Sequence, residues 1–175
     1  MAEVARINVI TDKDKIEVGQ RIFIPGATKV LKVDIYVEDV TAGGKSTTVR
    51  YEKGKFIWPV EGQVMAQFGT TEKRRHDGID ISAPEGTPVR AADGGTVVYS
   101  DNKMKGYGNL IIIEHRDHFF TIYAHNEENM VKEEVLVKRG DIIARIGKTG
   151  NAIGPHLHFE IRKGSIPLDP MRFLP

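Results

Sequence analysis

The sequence predicts a mainly β protein built on antiparallel sheet, and three observations carry that prediction. From Phe56 onward, short apolar runs alternate with glycine-bearing turns: Gly95 to Tyr99, Leu110 to Ile113, Phe119 to Ala124, Asp141 to Ile146 and Leu157 to Ile161. No segment shows a long helical repeat. Upstream, Leu31 to Glu38 alternates apolar and charged residues as a half-buried strand does. With 175 residues, 40% hydrophobic and 28% charged, the chain can form one ordinary domain plus something smaller around a packed core, and disorder is not expected.

In chain order, residues 6 to 25 come first: Arg6 to Ile10, a polar turn, then Ile16 to Pro25. Asn8, the Gly19-Gln20 pair and the alternating Ile22/Ile24 strand stopped by Pro25 make this stretch resemble the second half of a LysM peptidoglycan-binding module. The module's first strand and helix are missing, so the chain reads as starting inside a domain. Half a module buries little area, and independent carbohydrate binding is not expected. The strand over Leu31 to Glu38 follows, and the stretch from Thr41 to Ser46, with Gly43 and Gly44, reads as a turn or loop. The expected division is a partial LysM-like segment over 1–27, a β segment and linker over 28–57, and a main domain over 58–175.

Composition removes several function classes. A formal net charge of +1 gives no global electrostatic case for a nucleic-acid or membrane partner. The compact basic run Lys73-Arg74-Arg75 is too short for a nucleic-acid patch and reads as a solvated loop. The absence of cysteine excludes disulfide scaffolds, cysteine nucleophiles and thiolate zinc fingers. Any metal must be held by histidine and carboxylate, the donors of catalytic rather than structural zinc. No apolar stretch approaches the ~20 residues of a membrane span, and the N-terminus lacks a signal-peptide pattern.

The chemistry sits among six histidines, at 76, 115, 118, 125, 156 and 158. Two local patterns stand out, His76-Asp-Gly-Ile-Asp80 and His156-Leu-His158. On a strand, His156 and His158 share one face while Leu157 and Phe159 share the other. The same parity brings His76 and Asp80 together, with Ile79 and Ile81 facing away. A helix would also align i and i+4, although Gly78 and the following Ser-Ala-Pro argue against one. Asp80 lies between two isoleucines, where an unpaired buried carboxylate is costly. A metal removes that cost, and two imidazoles with one carboxylate leave a fourth tetrahedral position for water. Spacing alone does not say which of His156 and His158 is the ligand.

The motifs run on through Trp58-Pro-Val60, Phe68-Gly69, Ala83 to Pro88, Ala92 to Val97, Tyr123-Ala-His125, Gly140 to Ala144 and Gly154-Pro-His156-Leu-His158-Phe-Glu160. In this order and spacing they resemble the LytM/lysostaphin family of zinc metallopeptidases over residues 58–175. The resemblance implies an antiparallel sheet forming a narrow groove with extended loops. It implies Zn2+ held by His76, Asp80 and His158, with His125 and His156 as the catalytic histidines beside it. It also implies a peptidoglycan peptide as substrate and an extracytoplasmic location; separately, a monomer is expected. The bond cleaved, a stem-peptide crosslink or a bridge, is left open, as is which catalytic histidine does what.

Other residues near the motifs are read more plainly. Thr121 and Tyr123 share His125's strand face by parity. His115 and His118 straddle a turn at Arg116-Asp117 and read as non-ligands, although His115 follows an apolar strand and could approach the groove. Glu160 continues the series 156, 158, 160; an ordinary exposed strand glutamate is preferred over a carboxylate that holds a ligand imidazole. Asn126 stands where the family usually has leucine and is expected to alter a groove wall. The basic stretch Thr70 to Arg75 is expected to line one end of the groove.

Two rival readings remain. A non-catalytic envelope module that activates another cell-wall hydrolase would typically lack a metal or catalytic position, and here all five are filled. A biotinyl- or lipoyl-carrier-like barrel is suggested by the texture of Val137 to Gly147, but no lysine sits between the required hairpin neighbours.

Overall fold

The computed structural model describes residues 35–42, 45–71 and 74–175. The LysM-like stretch over 6 to 25 lies outside the described residues. So do the first half of the strand expected over Leu31 to Glu38, the two glycines at 43–44, and positions 72–73 of the stretch Thr70 to Arg75.

Two strands, β1 (Ile35–Ala42) and β2 (Lys45–Glu52), form an antiparallel hairpin. From β2, Val49 and Tyr51 are buried in the main core, and the Tyr51 ring lies 4.9 Å from that of Phe173. Phe56 is fully buried and makes edge contacts with His115, Phe119 and Phe173. This aromatic corner joins the start of the described chain to its end.

Twelve further strands follow. They are β3 (Gln63–Ala66), β4 (Gly69–Thr71), β5 (Arg74–His76), β6 (Ile79–Ser82), β7 (Pro88–Arg90) and β8 (Gly95–Asp101). Then come β9 (Asn109–Glu114), β10 (Phe119–Asn129), β11 (Leu136–Val137), β12 (Ile142–Ile146), β13 (His156–Lys163) and β14 (Ile166–Leu168). Each apolar run expected to be a strand from Phe56 onward is one, and every pairing among the described residues is antiparallel. The main sheet runs β11-β8-β9-β10-β13-β6-β3. β14 pairs with the far end of β13, and β12 bridges β10 and β7, while β4 and β5 form a separate hairpin.

Alternation decides what each face holds. Ile79 and Ile81 from β6 and Leu157, Phe159 and Ile161 from β13 are fully buried in one large core. Burying a side chain of this size contributes about 1.5–3 kcal/mol. The opposite face of β6 and β13 is left to Asp80, His156, His158 and Glu160. A cleft of about 550 Å³ opens above them, walled by the loops around residues 105–107 and 151–155 and by Met65, Arg75 and Asp77. On the same face, further along β9 and β10, Leu110, Ile122 and Ala124 form a smaller apolar cluster.

Candidate metal centre

The register of β6 on β13 sets up the centre. His158 lies opposite Asp80, and His156 opposite Ser82. Glycine is required at 78, because a Cβ there would sit 2.3 Å from the Phe159 carbonyl oxygen and 2.8 Å from Glu160 Cγ. The chain therefore passes tightly beneath β13 just before Asp80. His76 does not continue β6, as the parity argument had it. It closes the β4–β5 hairpin, opposite Gly69, and reaches Asp80 across the bend at 77–78. The pair still converges, because the bend turns both side chains into the cleft.

The Nε2 of His76 is 3.0 Å from Asp80 Oδ1 and 3.2 Å from His158 Nδ1, and His158 Nδ1 is 2.7 Å from the same Asp80 oxygen. The outer nitrogens are already occupied. His76 Nδ1–H donates to the Gln67 carbonyl at 2.9 Å, and His158 Nε2 meets Glu160 Oε1 at 3.0 Å. His76 Nε2, Asp80 Oδ1 and His158 Nδ1 therefore converge on one point. A shared cation resolves that arrangement. Donors ~2.0–2.1 Å from a tetrahedral zinc lie ~3.3 Å from one another, close to the separations here, and histidines oriented by a carbonyl and a carboxylate are usual around it. The residues fit the ion.

The electrostatics agree. Burial raises the Asp80 carboxyl, but the hydrogen bond from His158 and the charges of His158, His76 and His156 outweigh it and hold the group at about 2. Burial lowers His158, but Asp80 and Glu160 on its two nitrogens raise it to about 9. The pocket thus stabilises one positive charge where the three donors meet, and a bound cation would take the place of that proton.

The other two predicted residues stand over the same cleft. His156 Nδ1–H donates to the Gly154 carbonyl at 2.8 Å, and its Nε2 is 4.0 Å from Asp80 Oδ1, outside the three-donor cluster. His125 Nδ1–H donates to the Thr149 carbonyl at 2.8 Å, and its ring lies 4.8 Å from that of His156. Burial pushes His125 below its ordinary value, against the pull of the Thr149 carbonyl. The expectation that Thr121 and Tyr123 share its face is corrected. Both are fully buried below the sheet, while His125 lines the cleft. The reversal comes from the backbone: His125 has φ 65°, and the register on β9 slips between Tyr123 and Asn126.

Three further readings change. Glu160 is not an exposed strand glutamate: it is fully buried, and its second oxygen accepts from Arg162 Nε at 2.6 Å. Asn126 does not form a groove wall. It is buried under the bulge, with Nδ2 donating to the Tyr123 carbonyl and to Asn129 Oδ1. His115 does not approach the groove: it donates to the Gly94 carbonyl and meets Thr121 Oγ1 at 2.7 Å within the core. His118 is exposed, as expected of a non-ligand.

Sequence reasoning missed Tyr107, Asp77, Gln67 and Arg162. The Tyr107 hydroxyl donates to Glu160 Oε1 at 3.2 Å, and its backbone carbonyl accepts from the His125 N–H at 2.8 Å. Arg162 extends the same-face series 156, 158, 160, so parity could have placed it. Nothing local marks the Gln67 carbonyl.

A His/Asp/His group able to hold a metal ion lies in the cleft of an antiparallel sheet, with two further imidazoles beside it. The chain belongs to peptidase family M23, whose model matches residues 74–170, and the resemblance read from the motifs holds. It is 39% identical to the lipoprotein YgeR of Escherichia coli, over 99% of this chain and 72% of that protein. It is 45% identical to the murein hydrolase activator NlpD of Escherichia coli, over 67% of this chain but only 31% of that protein. Among solved structures it resembles a zinc-containing peptidase from Vibrio cholerae, with a TM-score of 0.63 and 32% identity over 79% of this chain and 47% of that one.

Proposed function

We propose that this chain is a zinc-dependent endopeptidase that hydrolyses peptide bonds in bacterial peptidoglycan and works in the cell envelope or outside the cell. The observation that carries the reading is the convergence of His76 Nε2, Asp80 Oδ1 and His158 Nδ1 within 4.8 Å of one another, under a cleft that also holds His125 and His156. The lipoprotein among its relatives supports the envelope location.

His76, Asp80 and His158 would hold the ion. Zinc, when bound, lowers the pKa of a water towards ~7 and polarises a carbonyl. His156 and His125 each commit Nδ1–H to a backbone carbonyl, so each neutral ring keeps a basic Nε2. That nitrogen can take a proton from water or, once protonated, stabilise an oxyanion and return the proton to the leaving amine. The backbone bonds fix both rings, so little reorientation is needed when substrate arrives.

The name of one relative favours a second reading, in which the cleft does no chemistry and the domain activates another murein hydrolase. Titration of metal-free protein separates the two. The peptidase should take up one equivalent of zinc and then cleave a crosslinked muropeptide, while His125→Ala keeps the zinc and loses the cleavage. Native protein that cleaves nothing when zinc-loaded, yet stimulates an added murein hydrolase, would establish the activator instead.

A further inference from the structure

The metal centre is assembled from two separate pieces of chain. His76 and Asp80 come from the segment 74–80, and His158 from β13. β6 holds only Asp80 in register with β13, and His76 lies beyond the bend, in a different hairpin. A second tie across that gap runs through charged side chains. Arg162 donates from Nε to Glu160 Oε2 at 2.6 Å and points one terminal nitrogen at Asp77 Oδ2, 3.4 Å away. Glu160 reaches the donor cluster through His158 Nε2, and Asp77 sits next to His76 in the chain.

We infer that Arg162 and Asp77 are positioning residues that strap the His76–Asp80 segment to β13, so that the three donors are held together before an ion arrives. Three features make the strap more than a surface ion pair. Glu160 has no side-chain exposure, and Arg162 is only 23% exposed, so solvent screens their bond weakly. The Arg162 guanidinium is planar and presents Nε and a terminal nitrogen to two different carboxylates at once, which a lysine ammonium on a flexible stem does not reproduce. Glu160 has its other oxygen on both His158 Nε2 and the Tyr107 hydroxyl, so a shift of Arg162 is passed to the ligand ring and to a cleft wall together. Asp77 is also shared, with Arg75 Nε 2.6 Å from its other oxygen, which fixes the carboxylate facing Arg162.

This inference rests on the zinc reading for its affinity readout but not for its structural one. The test uses the full chain with Arg162→Met, Asp77→Asn and the double variant. Zinc affinity is measured by chelator competition, and amide hydrogen exchange over residues 74–82 is measured on metal-free protein. Each single change should weaken zinc binding, Arg162→Met by ~10–100-fold, as losses of supporting shells do. Each should also speed exchange in that segment while leaving exchange in β9 and β10 unchanged. Because the two residues act through one strap, adding Asp77→Asn to Arg162→Met should cost little more. Should Arg162→Met fail to fold, Asp77→Asn removes the charge at the strap's partly exposed end, weakening the bond there, and leaves Glu160–Arg162 intact. Native-like affinity and exchange in Asp77→Asn would overturn the inference. A native chain that takes up no zinc would instead sink the proposed function, and the exchange rates alone would then judge the strap.

Discussion

His156 and His158 are chemically identical, two residues apart on one strand face, and differ only in what their ring nitrogens meet. His158 has a carboxylate on each side, at 2.7 and 3.0 Å, whereas His156 has a backbone carbonyl on Nδ1 and an open cleft at Nε2. Replacing His158 or Asp80 by alanine should therefore lower zinc affinity steeply. Replacing His156 or His125 should leave about one zinc per chain and reduce turnover by ~100-fold or more. If His156→Ala loses the metal and His158→Ala keeps it, the two roles are exchanged. Alternation made the shared face of 156 and 158 legible, but not the occupancy of the outer nitrogens, because Glu160 looks like any strand glutamate until Arg162 and Tyr107 close over it. His115 is a second residue whose environment only the fold reveals. Burial pushes it below its ordinary value of 6.5, against the Gly94 carbonyl and Asp93. The unfolded chain takes up this proton near pH 6.5 and the folded chain only at lower pH, so the contribution of neutral His115 is complete above 6.5 and fades as pH falls through the folded value. Urea midpoints measured from pH 7 to 5 should fall less steeply in His115→Gln than in the native protein. Identical slopes would show that other groups govern this range.

At the scale of elements, the centre depends on one close approach and one break in alternation. The close approach is at Gly78, where any side chain meets the backbone of β13. Gly78→Ala should push β6 away from β13, cost about 1–3 kcal/mol in a urea titration and weaken zinc binding with it, since Asp80 faces His158 across that register. Full native stability in this variant would mean that the bend relaxes elsewhere. The break is at His125, and it explains why strands were legible while their faces sometimes were not. Period-2 alternation of β-branched and aromatic residues located β8, β9, β10, β12 and β13. A positive φ at His125 then put its ring on the cleft face instead of the face of Thr121 and Tyr123, and no sequence pattern marks a non-glycine residue that adopts it. Asn126 carried part of the signal, because its amide bonds across the bulge and so occupies a place where leucine would leave the Tyr123 carbonyl without that donor.

For the molecule as a whole, the hairpin β1–β2 and Phe56 share a core with the sheet that holds the metal centre. The sequence placed a boundary near residue 57, because the texture of the chain changes there. Long-range packing of Tyr51 and Phe56 on Phe173 leaves no local trace. Two truncations probe this. Removing residues 1–27 should leave hydrolysis of a small soluble peptide largely intact, since half a module buries little area of its own. Removing 1–57 takes away Tyr51 and Phe56, exposes the rings of Phe119 and Phe173, and should lower the midpoint of thermal unfolding sharply. Loss of a large buried aromatic alone costs about 3–5 kcal/mol. If the shorter truncation abolishes activity, residues 1–27 belong to the working peptidase.

The central question is whether the cleft above His76, Asp80 and His158 breaks a peptide bond. The direct measurement is digestion of purified peptidoglycans of differing crosslink type with zinc-loaded protein, followed by mass analysis of the released fragments. The predicted result is hydrolysis within the peptide part of at least one of them, one water added per cut, abolished by chelation, restored by zinc and absent in His125→Ala. Intact peptides in every digest, from protein that demonstrably carries its zinc, would contradict it.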